Sequence, residues 1–242
     1  MKISFRNIVL LLSTTLVLLN YNVKADDSLK IETNIGADIV SRYVWRGLAL
    51  SKAPAIQPCL DFTLGSFSIG SWASYTIGED TIQEVDLYLS FTKSWFTLTV
   101  NDYFNPNEKV GYYDYFNWNS KQTGHAIEVS TTIADIKNIP LSLTAGVFLF
   151  GNDRDEITNK NLYSAYFELA YNKTFKNNME FSSFIGITPY RGYYADEFNV
   201  VNVGISLAKE ITISDKFTLP ISGSFIVNPD LGNVHFVVAI SL

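Results

Sequence analysis

Side chains able to do chemistry are sparse in this chain, and their spacing narrows the possibilities quickly. The 242 residues include two histidines and one cysteine. Nucleophilic catalysis needs a Ser, Thr or Cys within reach of a base. His125 sits in Gly124-His125-Ala126-Ile127, and its same-face neighbour on a strand is Ile127, not a serine. Lipid hydrolysis by a Ser-His pair on an apolar surface would need such a serine, and no adjacent Ser-Asn accompanies this histidine. His125 therefore reads as an interfacial residue, the chain is not expected to be an enzyme, and Cys59 reads as an ordinary strand residue. Glu84 and Asp86 are carboxylates two apart, but such pairs recur along the chain, so spacing does not single them out for acid-base work. Asn152-Asp153-Arg154-Asp155-Glu156 offers oxygen ligands without the glycine and distal glutamate of a calcium loop, and reads as a solvated acidic loop. With no phosphate-cradling glycine motif or dinucleotide fingerprint, neither metal nor cofactor is expected.

The chemistry that remains is that of charges collected on one face of repeated strands. Between Glu84 and Thr92, Val85, Leu87, Leu89 and Phe91 point one way, and Glu84, Asp86, Tyr88, Ser90 and Thr92 the other. Ile56, Leu60, Phe62 and Leu64 alternate with Gln57, Asp61 and Thr63. Leu141, Leu143, Ala145, Val147 and Leu149 stand opposite Ser142, Thr144 and Gly146, and Tyr163, Ala165, Phe167, Leu169 and Tyr171 opposite Ser164, Tyr166, Glu168 and Asn172. Twelve such segments are read at 30–46, 55–65, 66–77, 83–92, 94–104, 122–133, 139–150, 161–173, 178–189, 198–208, 214–227 and 233–242. The expected fold is all-β: a single transmembrane antiparallel up-and-down barrel of about twelve strands, spanning residues 26–242. An even count places both ends on the periplasmic side. Pro58 and Pro220, which each remove a ladder donor, are expected at bulges or strand ends.

Aromatic placement tests the alternation independently. Phe67, Phe91, Phe96, Tyr171, Phe181 and Phe217 fall at the ends expected to face the periplasm, and Tyr43, Trp45, Tyr75, Tyr163, Phe225 and Phe236 at the opposite ends. Two such rings are the girdles of a membrane barrel. A secreted sandwich or lipocalin-like barrel shares the alternation but has no reason to sort its aromatics.

The beginning of the chain agrees with export. Lys2 and Arg6 precede an apolar run from Ile8 to Leu19, followed by Val23-Lys24-Ala25, which reads as a signal peptide over residues 1–25. The run falls short of the roughly 18 residues of a spanning helix. The formal net charge of −6 and the absence of a basic cluster argue against nucleic acid as a partner. Expected partners are outer-membrane lipid and lipopolysaccharide, the barrel-assembly machinery, and small solutes or ions. The last segment keeps Phe236, Val238, Ile240 and Leu242 on one parity, resembling the assembly signal of such barrels, though it ends on Leu242 and not on an aromatic residue.

At the first hairpin the sequence reads Asp38-Ile39-Val40-Ser41-Arg42-Tyr43-Val44-Trp45-Arg46-Gly47, then Pro54-Ala55-Ile56-Gln57-Pro58, and later Ser68-Ile69-Gly70-Ser71-Trp72-Ala73-Ser74. This resembles the opening of the TorF-type porins, also grouped as the Gcw_chp family, specifically over about residues 34–92 and in strand rhythm beyond. The resemblance implies an outer-membrane barrel and a pore without a settled substrate, and brings no catalytic residues.

The inward parity carries Glu32, Asp38, Asp61, Glu84, Asp86, Glu128, Glu168 and Glu180 against Arg42 and Arg46, so the expected lumen is acidic and favours cations. It forms either a small diffusion channel or a filled, poreless barrel with a structural or surface-interaction role. Arg42 and Arg46, four apart near Gln57 and Asp61, would make either a constriction or an ion-pair cluster that fixes register. Tyr112, Tyr113, Tyr115, Phe116 and Trp118 in loop 105–121, with Tyr190, Tyr193 and Tyr194 after the ninth strand, would pack together over the mouth, narrow it, or stack on sugars.

Overall fold

The computed structural model describes residues 30–78, 83–106, 114–214 and 217–242. The segment read as a signal peptide lies outside them, as do Tyr112 and Tyr113. The chain divides into a leading unit, residues 1–31, and one unit over 32–242 that holds the barrel.

Strands β1 (Ile31–Val40), β4 (Ala55–Leu64), β5 (Phe67–Thr76), β6 (Gln83–Lys93), β7 (Phe96–Phe104), β8 (His125–Ile133), β9 (Leu141–Gly151), β10 (Ala165–Thr174), β11 (Glu180–Thr188), β12 (Asn199–Ser214), β13 (Phe217–Asn228) and β14 (Asn233–Ser241) close into a ring. Each pairs antiparallel with its sequence neighbour, and β1 pairs with β14. The short strands β2 (Val44–Trp45) and β3 (Leu48–Ala49) form a separate two-stranded hairpin. The expected twelve-strand antiparallel barrel is the fold found, and no helix occurs among the described residues.

Period-two patterning explains the wall. In β6, Leu89 is 51% exposed on the outside while Glu84 is 3% exposed within. The same division runs round the ring: Ile35, Phe62, Ile69, Leu98, Leu143, Leu169, Ile185, Leu207, Phe225 and Phe236 are all exposed outward. Inward positions near the chain ends carry small polar groups in cross-strand pairs, with Ser90 and Thr99 hydroxyls 2.9 Å apart, Thr132 and Thr144 3.1 Å apart, and Ser224 donating to Ser206 at 2.9 Å. The connections at that end are tight: Gly65-Ser66 joins Leu64 to Phe67, and Ser94-Trp95 joins Lys93 to Phe96. Longer connections gather at the other end, here called the loop end.

The first strand departs from expectation. The alternation suggests a strand through residue 46 and an outer loop over 47–54, but the chain leaves the wall at Ser41. There Ser41 N–H donates to the Val238 carbonyl at 2.8 Å, and Val238 N–H to Ser41 Oγ at 2.9 Å. The segment then turns inward, held by Tyr43 N–H donating to Ser51 Oγ (2.9 Å) and Leu50 N–H to the Tyr43 carbonyl (2.9 Å). Trp45 opposes Leu48 across a two-residue tip, Arg46-Gly47, with φ of 50° and 81°. Positive φ at both positions is the type I′ requirement, which Gly47 meets without steric cost. Tyr43 and Trp45 consequently belong to the interior and not to the outer girdle: Tyr43 packs on Trp72, and Trp45 on Tyr103, Phe148, Tyr193 and Tyr194. Inside a closed barrel these rings find apolar neighbours, so the alternation persists in sequence although the wall has ended.

Two further boundaries differ, and the prolines sit differently from expectation. β12 runs through 209–213, the segment expected to turn, because Lys209–Thr212 continue the ladder with β13. β10 begins at Ala165, while Tyr163 has φ of 55° before it. Neither proline marks a bulge: Pro58 falls where the β4–β5 ladder lapses between Ile56↔Tyr75 and Cys59↔Trp72, and Pro220 lies one residue beyond the last β13–β14 pair. Register shifts occur instead at Ile127/Glu128, Gly186/Ile187 and Thr212/Ser214.

Candidate functional site in the barrel lumen

The inward hairpin carries Arg46 across the lumen to β8. Its guanidinium donates from Nη1 to Glu128 Oε1 at 2.5 Å and from Nη2 to Oε2 at 3.0 Å, a two-pronged pair with Glu128 0% exposed. Tyr103 Oη also donates to Glu128 Oε2, at 2.9 Å, and Arg46 donates to Tyr194 Oη. The guanidinium carbon lies 4.5 Å from the Trp45 ring centre and 4.6 Å from that of Tyr166. The tip fits against the walls: a Cβ on Gly47 would stand 2.0 Å from the Val201 carbonyl oxygen, and one on Gly146 2.5 Å from Glu128 Oε1.

The two arginines are thus not a joint cluster beside Gln57 and Asp61. The hairpin turn takes Arg46 away to Glu128, whereas half-buried Arg42 makes no ion pair or hydrogen bond among the described residues. Gln57 donates to Ser74 Oγ at 3.2 Å. Asp61 accepts from Tyr88 Oη and, at 3.2 Å, from Asn34 Nδ2. Glu168 accepts from Tyr166 Oη and from Asn202 Nδ2, the latter at 2.9 Å. Asp38 pairs with Ser241 where the ring closes. Glu32 and Glu180 are exposed at the strand ends.

Glu84 and Asp86 are both buried on the inward face of β6. Glu84 Oε1 accepts from Tyr43 Oη at 3.3 Å, the Glu84 and Asp86 carboxyls lie within reach of one another, and Glu84 Oε2 and Asp86 Oδ1 meet no donor among the described residues. Glu84 lines a cavity of about 190 Å³ at the loop end, with Trp45, Tyr103, Phe148, Asp153 and Tyr193.

Two loops shape that end. Asp153 accepts from Ser164 N–H (2.8 Å) and Ser164 Oγ (2.5 Å), and Tyr193 N–H donates to Ser164 Oγ (2.6 Å). Asp155 accepts from Thr158 N–H (2.7 Å) and Thr158 Oγ1 (2.8 Å), and pairs with Arg191 at 2.7 Å. The Thr158 hydrogen bonds, then Arg191, lower its carboxyl to about 2. Contrary to a solvated acidic loop, Asp153 and Asp155 are buried and tie 152–164 to 189–198, because each carboxylate satisfies backbone donors that the turns leave free. Burial, with Glu84 and Asp153 nearby, raises the Tyr193 phenol.

His125 lies on the opposite surface. Asp102 pairs with Leu87 and Phe104 with Val85, both outward residues of β6, and Phe104 pairs with His125, so all three share the outward face. His125 Nδ1 lies 2.8 Å from Asp102 Oδ1 and Nε2 2.7 Å from the Tyr115 carbonyl, and Trp118 stacks at 3.9 Å. The ring is 0% exposed, covered by the loop. Asp102 escaped sequence reasoning although it left a signal, an acid on a parity otherwise apolar. In the described part of this loop the aromatics pack together and on His125, while Phe116 is exposed.

A polar, partly aromatic lumen inside an apolar-coated ring of twelve strands invites comparison with known proteins. The family model described as a bacterial protein of unknown function (Gcw_chp) matches residues 22–218. The chain belongs to the Gcw_chp family. The match carries the likeness far past residue 92, to β13. Among curated proteins none matches this family member.

Proposed function

We propose that this Gcw_chp protein is an outer-membrane barrel forming a narrow, cation-favouring pathway for small solutes, with the inward hairpin as its constriction. One observation carries the reading: the barrel is apolar outside and polar inside. Outward side chains such as Ile35, Ile69 and Phe236 are exposed around the whole ring, far beyond the apolar patches of water-soluble monomers. A closed barrel satisfies its backbone groups within itself, as a bilayer demands. The sequence read as a signal peptide and the likeness to TorF-type porins support the same placement, which would bring lipid, lipopolysaccharide and the assembly machinery as partners.

The pathway reading rests on the hydroxyl-lined half near the chain ends, which leads to the Arg46–Glu128 pair. Acids outnumber bases along it, which concentrates cations. Single-channel recording of the refolded protein tests this. Discrete, salt-dependent steps with cation preference are expected, and Arg42→Ala should change the ion preference. A second reading, a poreless barrel with a structural or surface role, is favoured by the two-pronged tether that pins the hairpin to the far wall. A folded but silent barrel would establish it and end the channel reading.

A further inference from the structure

We infer that the cavity at the loop end is a binding site for a small organic ammonium ion, held between the rings of Trp45, Tyr103, Phe148 and Tyr193 and the carboxylate of Glu84.

The rings form a connected wall. Trp45 lies 5.6 Å from Tyr103, 6.4 Å from Phe148 and 6.1 Å from Tyr193, and Phe148 lies 5.8 Å from Tyr103 and 6.3 Å from Tyr193. All four line the same cavity as Glu84. Aromatic faces carry negative potential and attract cations, most strongly away from water. Glu84 adds a buried carboxyl group whose charged form a cation would stabilise: it is 3% exposed, and its Oε2 meets no hydrogen-bond donor from the described residues. A buried carboxylate oxygen without a donor is costly, and a ligand bringing positive charge offsets that cost. No Lys or Arg among the described residues pairs with Glu84 or its neighbour Asp86, whereas Glu128 and Asp155 each have an arginine.

The chemistry excludes close alternatives. An anion would meet Glu84 and Asp153 with no base lining the cavity. A bare metal ion needs several oxygen or nitrogen ligands, but no three His, Cys, Asp or Glu side chains gather to hold one among the described residues, and Asp153 is already engaged by Ser164. The same lumen displays the matching solution with its own side chain, since Arg46 lies over Trp45 and Tyr166 and against Glu128. The site requires the barrel and its cavity but not conduction.

The test is a titration of the full refolded barrel in detergent with choline chloride, followed by calorimetry and tryptophan emission. The comparison ligand is choline's uncharged carbon isostere, dimethylbutanol. Choline should bind saturably and at least about tenfold tighter than the isostere. Glu84→Gln should weaken choline about tenfold, and Tyr193→Ala, in a loop outside the wall, several-fold, both with the heat-modifiable gel mobility of a folded barrel. Equal binding of choline and isostere, unchanged binding by Glu84→Gln, or no saturable signal from wild type would overturn the proposal. So would displacement of choline by calcium chloride beyond the effect of matched ionic strength, because that would identify a metal site. A barrel that binds choline but stays silent in bilayers fails only the channel reading. One that conducts but shows no choline site fails only this inference.

Discussion

Arg46 is the residue on which the interior turns, because it joins the first hairpin to β8 through a pair whose acid is fully buried. Removing one partner of such a pair leaves the other charged and unpaired, at a cost of about 3–5 kcal/mol. Arg46→Ala is therefore expected to lower the unfolding free energy from denaturant titration by that amount and to raise single-channel conductance. Arg46→Lys should recover only part of the stability, since an ammonium cannot reproduce the two-pronged contact. Unchanged conductance with lowered stability would mark the pair as purely structural. Gly47→Ala combines a φ of 81° with a Cβ 2.0 Å from the Val201 carbonyl, and should cost more than about 1 kcal/mol by the same denaturation measurement. Parity identified Arg46 and Glu128 as inward charges but not as partners. Alternation reports the face a residue occupies, not which of twelve strands lies opposite, and these two are 82 positions apart.

The loops act as elements tied by single side chains. Asp155 links 152–164 to 189–198, and its carboxyl is lowered to about 2 in the fold. A lowered carboxyl contributes stability above its unfolded value, near 4, and loses it as pH falls through the folded value. Amide protection factors in 189–198, taken relative to intrinsic exchange at each pH, should therefore fall between about pH 4 and 2, and Asp155→Asn should lower them at neutral pH with that acid step removed. An identical acid step in the variant would refute the assignment. On the outer surface, His125→Ala removes the bond to Tyr115 and the stack under Trp118, so limited proteolysis within 114–123 should speed up several-fold while the barrel stays intact. These ties were largely illegible in sequence. Acidic loops look alike whether hydrated or engaged, and only the fold brings Arg191 to Asp155 or Asp102 to His125. The inward turn at Ser41 was hidden for a different reason: aromatics at alternate positions satisfy a lipid-facing strand and a buried hairpin equally well.

At the scale of the molecule, the legible part was the wall. Twelve strands with one apolar face leave closure as the arrangement that hides every edge, and the alternation that predicts it is the alternation observed. The same division sets an asymmetric mutational response. Leu89→Arg, outward on β6, should cost about 2–4 kcal/mol of folding stability in lipid vesicles if it lies near the bilayer midplane, while Ser90→Asn, directed into the polar half-lumen, should cost far less. Equal costs would contradict the membrane placement.

The hairpin is made early in the chain, yet the groups that receive it, Glu128, Tyr166, Tyr194 and Val201, all come later. The ring's final pairing is short: β1 meets β14 only from Ala37 to Ser41, immediately before the inward turn. Shutting the cylinder and seating Trp45 among its partner rings are thus adjacent events along the same few residues. Indole emission from Trp45, isolated by replacing the chain's other three tryptophans with phenylalanine, would then serve as an internal clock that times the moment of circular closure without any attached dye.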